Sequence, residues 1–328
     1  MDLEMLRLRA AIIKQTRSFF DTKNYLELDT PLLSDNLIPE SCLEVFQTQR
    51  LYPEWSKRES KPLWLIPSPE IWMKKIISQH RVNVYQICKC FRNGESTGRL
   101  HSSEFTMLEY YTMNADYMDS LTLTEKFVSR LSLLTNKKQP QFERITVAEA
   151  FARFAGFDLF AAAEKEGLME KEAKRLGLDP FPDMTVSELY DLIFIHAVEP
   201  HLKSENPIFL LDYPAFVPCL AKLSDNGSTV ERWELYWNGI ELANCFSEET
   251  NPQRVKQFFI NEETEKKRCA IVQHDVNHDY YKLFEQQGGQ GFPKCSGVAM
   301  GMDRLIMILT GRSTIDSVLE LSESTTPP

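Results

Sequence analysis

No stretch of about 18 apolar residues occurs in the 328-residue chain, which excludes a membrane-spanning helix of ordinary kind. Met1-Asp2-Leu3-Glu4 lacks the basic start and apolar core of a secretory leader. Basic residues are also in deficit: 37 Lys and Arg stand against 47 Asp and Glu, for a net charge of −10. A protein that lives on nucleic-acid phosphates carries the opposite balance, so tRNA is a poor partner for this surface. Seven cysteines are an odd number, and none shows the paired spacing of a zinc ribbon. Cys88 and Cys90, two apart, share a face on a strand and do not readily bridge. Reduced thiols in the cytosol are the reading. Internal repeats and low-complexity segments are lacking as well.

What is present is a length of 328 residues, enough for one large domain or two ordinary ones, with 43% apolar residues to fill a substantial core. Residues 3–20 repeat Met5, Ile12, Phe19 and Leu6, Ile13, Phe20 at heptad spacing, which predicts an amphipathic helix. A strand is expected over 25–30, stopped by Pro31, which cannot donate to a ladder and favours an edge. Residues 35–62 show little periodicity. Short strand 64–67 leads to a helix opening at Pro69 and running to Ser78. Strands at 84–92 and 104–113 form a hairpin around the turn-rich segment 93–103. A helix follows over 115–134. Residues 140–205 read as a mainly helical insertion, structural or for docking a partner, with capping boxes at Thr146/Glu149 and Thr185/Glu188. Strands resume near 207–212 and 230–237. The fold class expected is α+β, an antiparallel sheet flanked by helices.

Two stretches carry arginines in settings suited to an anion. In Gly297-Val-Ala-Met-Gly301-Met-Asp303-Arg304-Leu305, small residues fall at every second position before an Arg on the first turn of a buried helix. Open backbone and a fixed cation suit a triphosphate. In Cys90-Phe91-Arg92-Asn93-Gly94-Glu95, Arg92 ends one strand of the hairpin. Phe105, Met107, Glu109 and Tyr111 share a face of the other. An exposed Phe offers a platform for a purine, and Arg92 reaches an α-phosphate whose charge grows as an adenylate forms.

Glu241 and Glu248 are hard oxygen donors for Mg²⁺. Fully extended they are about 23 Å apart, so they share one ion only if the chain turns between them. Ser68-Pro69-Glu70 stands at a strand-to-helix junction, where Glu70 meets an amine or the helix dipole. His274 and His278, four apart, lack a third ligand and a helical pattern. The Gly288-Gly289-Gln290-Gly291 cluster reads as a loop before the last motif. Taken singly, each feature has a plainer account. Phe105 and Tyr111 suit a core, Arg92 a surface ion pair, and the glutamates a solvated face. Their order along the chain is what points to an acyl-adenylate enzyme.

That order resembles the three motifs of class II aminoacyl-tRNA synthetases, at 5–31, 90–111 and 297–311. The phrases His101-Ser-Ser-Glu-Phe-Thr-Met-Leu-Glu-Tyr-Tyr111, Gly239-Ile-Glu-Leu-Ala-Asn-Cys-Phe-Ser-Glu248 and Gly297-Val-Ala-Met-Gly-Met-Asp-Arg-Leu305 are similar to lysyl-tRNA synthetases. Two departures stand out. Motif 1 begins almost at Met1, leaving no room for an anticodon-binding domain, so residues 1–328 read as one catalytic domain. Ala299 stands where those synthetases have glycine, and its methyl reshapes the amino-acid pocket. Both departures resemble the elongation factor P–(R)-β-lysine ligase family.

The resemblance implies activation of (R)-β-lysine by ATP with Mg²⁺, then transfer to a lysine ε-amine of elongation factor P, by a homodimer. Arg92 and Arg304 would hold the phosphates. Phe105 would stack on adenine, and Glu95 would contact its amino group. Asn93, Gly94, Ser102, Glu241, Leu242 and Gly301 would complete the ATP site. Ser68, Pro69, Glu70, Tyr111, Asn244, Glu248 and Ala299 would surround β-lysine, and Mg²⁺ would sit with Glu241 and Glu248. The alternatives are a truncated α-lysine-activating enzyme and a non-catalytic sensor of nucleotide or amino acid.

Overall fold

A computed structural model describes residues 2–94, 98–135, 138–285 and 291–319. Glu95 and most of the expected glycine loop, residues 288–290, lie outside the described residues. Eleven strands are described: β1 (Leu26–Glu27), β2 (Leu33–Ser34), β3 (Gln47–Arg50), β4 (Lys61–Leu65), β5 (Val84–Phe91), β6 (Glu104–Met113), β7 (Glu143–Thr146), β8 (Ile208–Pro214), β9 (Thr229–Trp237), β10 (Ile240–Ser247) and β11 (Cys295–Gly301). Eight of them form one sheet in the order β1-β5-β6-β11-β10-β9-β8-β7. Its six inner strands are antiparallel, and the edge strands β1 and β7 are each parallel to their neighbour. The other three make a small antiparallel sheet, β2-β4-β3.

Helix α1 (Leu3–Asp21) is capped by Asp2, whose carboxylate accepts from the Glu4 and Met5 amides. It buries Met5, Ile12, Phe19 and Phe20 against the sheet and α3 (Tyr117–Ser132). The predicted stripe is therefore real, but it also buries Arg9 and Thr16. The expected strand over 25–30 shrinks to β1, because Pro31 ends pairing soon after the Leu28 amide reaches the Tyr85 carbonyl. Strand 64–67 is displaced to Lys61–Leu65. The aperiodic 35–62 segment contains β3, whose four side chains are all exposed. A strand solvated on both faces has no apolar alternation to detect.

The β5–β6 hairpin forms as expected, with Cys90 opposite Phe105 and Gln86 opposite Glu109. Between β7 and β8 the chain carries α4 (Val147–Ala150), α5 (Leu159–Glu164), α6 (Leu168–Arg175) and α7 (Val186–Ile193), packed around their own cluster of Phe151, Tyr190, Ile193 and Leu210. Both anticipated capping boxes are present. Helices α2 (Glu70–His80) and α8 (Pro252–Cys269) flank the sheet's other side, and α9 (Met302–Thr310) is buried on nearly every face.

Candidate active site

The described residues enclose a cavity of about 360 Å³ above the middle of the large sheet. Its floor follows from strand register. Tyr111 lies opposite Gly297, Glu109 opposite Ala299 and Met107 opposite Gly301. Ala299 in turn lies opposite Asn244, and Asn244 opposite Glu234. Cross-strand partners point to one face, so Glu109, Ala299, Asn244 and Glu234 make one row across four strands.

On β10 a bulge brings Glu241 into this floor. Glu241 pairs with Tyr236 and Ala243 with Leu235, so Leu242 is an extra residue. A regular strand puts residues seven apart on opposite faces; the extra residue returns Glu241 to the face of Asn244 and Glu248. All three line the cavity. Glu241 and Glu248 thus face one cavity from the two ends of β10. Glu248 is held by Lys74, with Nζ–Oε2 at 2.6 Å. The carboxylate beside Glu241 is Glu234, which adds its repulsion to burial in pushing the Glu241 pKa up to about 7, while Arg304 and Arg92 oppose the rise.

Arg92 and Arg304, more than 200 residues apart in the chain, line the same cavity. The Arg92 guanidinium lies 5.3 Å from the centre of the Phe105 ring. Arg304 Nη1 donates to the Glu241 carbonyl at 3.0 Å and Nε to that of Leu100 at 3.2 Å. Its neighbour Asp303 accepts from the Thr106 amide at 2.6 Å and pairs with Arg9.

The inner end is acidic. Glu70, on the first turn of α2, accepts from Lys74 Nζ at 2.7 Å and from the Tyr280 hydroxyl at 2.8 Å. Glu109 accepts from the Tyr111 hydroxyl on one oxygen; the other is buried without a hydrogen-bond partner among the described residues. Burial, with Glu70 nearby, holds the Glu109 carboxyl well above the usual range. Burial also lifts Glu248 to about 7, against the pull of Lys74. Burial works against a charged Lys74, but Glu248 and Glu70 more than reverse it and its pKa stands well above the ordinary value. Asn244 accepts from Arg232 Nε at 3.2 Å, which leaves its amide NH₂ as the donor toward the cavity.

Of the expected site residues, Ser68, Glu70, Arg92, Ser102, Phe105, Tyr111, Glu241, Leu242, Asn244, Glu248, Ala299, Gly301 and Arg304 line this cavity. Asn93 and Gly94 do not. The Asn93 amide donates to the Glu44 carbonyl and its side chain to that of Val45, and Gly94 packs toward Glu44. The Gly94 amide donates to the Asn93 side-chain oxygen at 2.9 Å. Pro69 is also off the wall, as the cap of α2.

Sequence reasoning gave no role to Glu109, Lys74, Arg232 or Glu234. Glu109 had a signal in its place on the Phe105–Tyr111 face, and Lys74 in its i,i+4 relation to Glu70. For Arg232 and Glu234 the pairing of β9 with β10 was needed. A magnesium ion carried by ATP takes one or two protein carboxylates and fills its remaining positions from phosphate and water. Glu241, on the cavity wall, fits that need, whereas both Glu234 oxygens are engaged, one by Arg232 and the other by the Tyr236 hydroxyl.

The family model for class II tRNA synthetases (D, K and N) matches residues 2–325. A protein of Vibrio atlanticus (strain LGP32) named elongation factor P–(R)-β-lysine ligase is 33% identical over 319 residues, covering 96% of this chain and 94% of the relative. Proteins of the same name from Avibacterium paragallinarum and from Buchnera aphidicola subsp. Schizaphis graminum (strain Sg) are each 34% identical, over 98% and 96% of this chain and 95% and 94% of theirs. The sheet and the recognised motifs thus agree with the comparisons, and the chain belongs to the class II tRNA synthetase family and, within it, to the elongation factor P–(R)-β-lysine ligases.

Proposed function

We propose that this chain activates (R)-β-lysine with ATP and transfers it to a lysine ε-amine of elongation factor P. The observation that carries the reading is one cavity lined both by Arg92 and Arg304 and by the carboxylates Glu70, Glu109 and Glu248. A diamino acid placed there has its ammonium groups among the carboxylates and its carboxylate toward Arg92.

In the first step a substrate carboxylate oxygen bonds to the α-phosphorus, and the bond to the pyrophosphate oxygen breaks. Arg92 stabilises charge on the α-phosphate, and Arg304 steadies the outer phosphates. Phe105 supports the adenine ring, with Ser102, Leu242 and Gly301 around the nucleotide. Glu241 would hold magnesium, which when bound would supply charge neutralisation at the phosphates. In the second step the acceptor amine bonds to the acyl carbon, AMP leaves with the bonding pair, and the amine loses a proton. Positioning does most of the work.

The protein acts as a homodimer in the cytosol. Among the described residues no helix is long and apolar enough to cross a membrane. Mass spectrometry of elongation factor P, incubated with this protein, ATP and each lysine isomer, tests the proposal. A gain of one β-lysyl group on one lysine is expected. Equal or better pyrophosphate exchange with α-lysine points to the truncated synthetase instead. ATP binding without any adenylate points to the sensor.

A further inference from the structure

Behind the cavity wall lies an ammonium group that does not line the cavity. Lys74 is on the second turn of α2 with its side chain 1% exposed. Its Nζ is 2.7 Å from Glu70 Oε1 and 2.6 Å from Glu248 Oε2, and 6.0 Å from the centre of the Tyr111 ring. A buried lysine is unfavourable unless paired, and this one has two carboxylates. Each gives it one oxygen. Glu109, also buried, has one oxygen on the Tyr111 hydroxyl and one without a partner among the described residues.

The inner pocket therefore sets three carboxyl groups against one resident cation; burial raises Glu109 and Glu248 toward the neutral form, so their negative charge is completed by a cationic ligand that enters beside them. Neighbouring groups do not change that balance. Tyr111, Tyr280 and Cys295 are neutral, their pKa values pushed up by burial. Glu40, which also lines the cavity, has the carboxylates Glu70 and Glu262 and the cations Arg92 and Lys266 near it. Buried charge of one sign calls for a ligand of the other.

We propose that Lys74 is a positioning and specificity-determining residue: a resident ammonium that fixes Glu70 and Glu248 and leaves the pocket matched to an amino acid bearing two ammonium groups. The inference rests on the reading above that a lysine isomer occupies this pocket. Without Lys74, the substrate's own ammonium settles between Glu70 and Glu248. The substrate sinks inward and its carboxylate draws back from the α-phosphate. The loss then falls on kcat more than on KM.

ATP–pyrophosphate exchange tests this with Lys74→Met and Lys74→Ala. Lys74→Met should keep a cooperative melt, lose about 100-fold in kcat, the scale of a reactant displaced by roughly 1 Å, and change KM for the lysine substrate by less than about fivefold. For Lys74→Ala, n-butylammonium should restore about tenfold or more of the lost rate by refilling the vacated site, and n-butanol should not. A Lys74→Met enzyme within about threefold of wild type, or rescue by butanol equal to that by butylammonium, would reduce Lys74 to a packing residue.

The wild type gives an arm that needs no variant. A lysine analogue with its terminal ammonium replaced by methyl should be used about 100-fold less well, since it strands a buried carboxylate; equal use overturns the charge argument. If no lysine isomer is activated but another diammonium acid is, the functional reading fails and the role of Lys74 stands.

Discussion

Arg9 and Asp303 meet at 2.6 Å, joining the first helix of the chain to the residue beside Arg304. Both are almost fully buried, and Arg9 also donates to the Thr106 hydroxyl and the Val318 carbonyl. The pair fixes the first turn of α9, and with it the direction in which Arg304 enters the cavity. Removing one partner of a buried ion pair strands the other, at about 3–5 kcal/mol. Arg9→Met should show that loss in urea unfolding while keeping part of its exchange activity. Unchanged stability would mean that α9 is held by its apolar faces alone.

Arg304 itself is a phosphate group's partner in the proposed reaction. Arg304→Ala should lower adenylate formation by at least about 10²-fold, the scale for one charge-stabilising donor. Pyrophosphate exchange measures this directly, and near-normal exchange would remove the phosphate assignment.

Gly297 lies under the inner pocket. A methyl group there would come within 2.5 Å of Tyr111 Cε1 and 2.6 Å of Glu248 Oε1. Gly297→Ala must displace both, and overpacking of this kind costs about 1–3 kcal/mol. The KM for the amino acid should rise by roughly ten- to a hundredfold, with little change for ATP. An equal rise in both constants would place the damage elsewhere.

Ala299 stands in the floor between Glu109 and Asn244. Its methyl group takes space where the substrate's backbone end would lie. Ala299→Gly should shift preference from β-lysine toward α-lysine, read as the ratio of the two kcat/KM values. An unchanged ratio would show that another residue discriminates.

The inner carboxylates bind ammonium only when ionised. Burial has raised Glu109 well above its ordinary pKa and Glu248 to about 7. As pH falls through about 7, Glu248 takes up a proton and loses the charge that holds the substrate. The kcat/KM for the lysine substrate should therefore fall on the acid side of about pH 7, while ATP binding measured alone falls less. A flat profile down to pH 5 would mean that these groups do not hold the amine.

Much of this protein is local in origin, and the sequence determined it alone. The apolar repeat of α1, the hairpin around Phe105, both threonine capping boxes and the small-residue run before Arg304 are set by spacing within a few turns or one strand pair. The outcome depends on neighbours in the chain, so it is legible there. The exposed strand β3 was not, since nothing in its side chains alternates.

Tertiary structure decided how those pieces share charge. Whether Glu241 faces the cavity depends on one extra residue in the pairing of β10 with β9. Whether Glu248 meets a metal or a lysine depends on where α2 docks. Arg92, just after β5, and Arg304, just after β11, line one cavity because β6 pairs with both strands. Electrostatic energy follows distance through space and loss of water, and sequence separation enters neither.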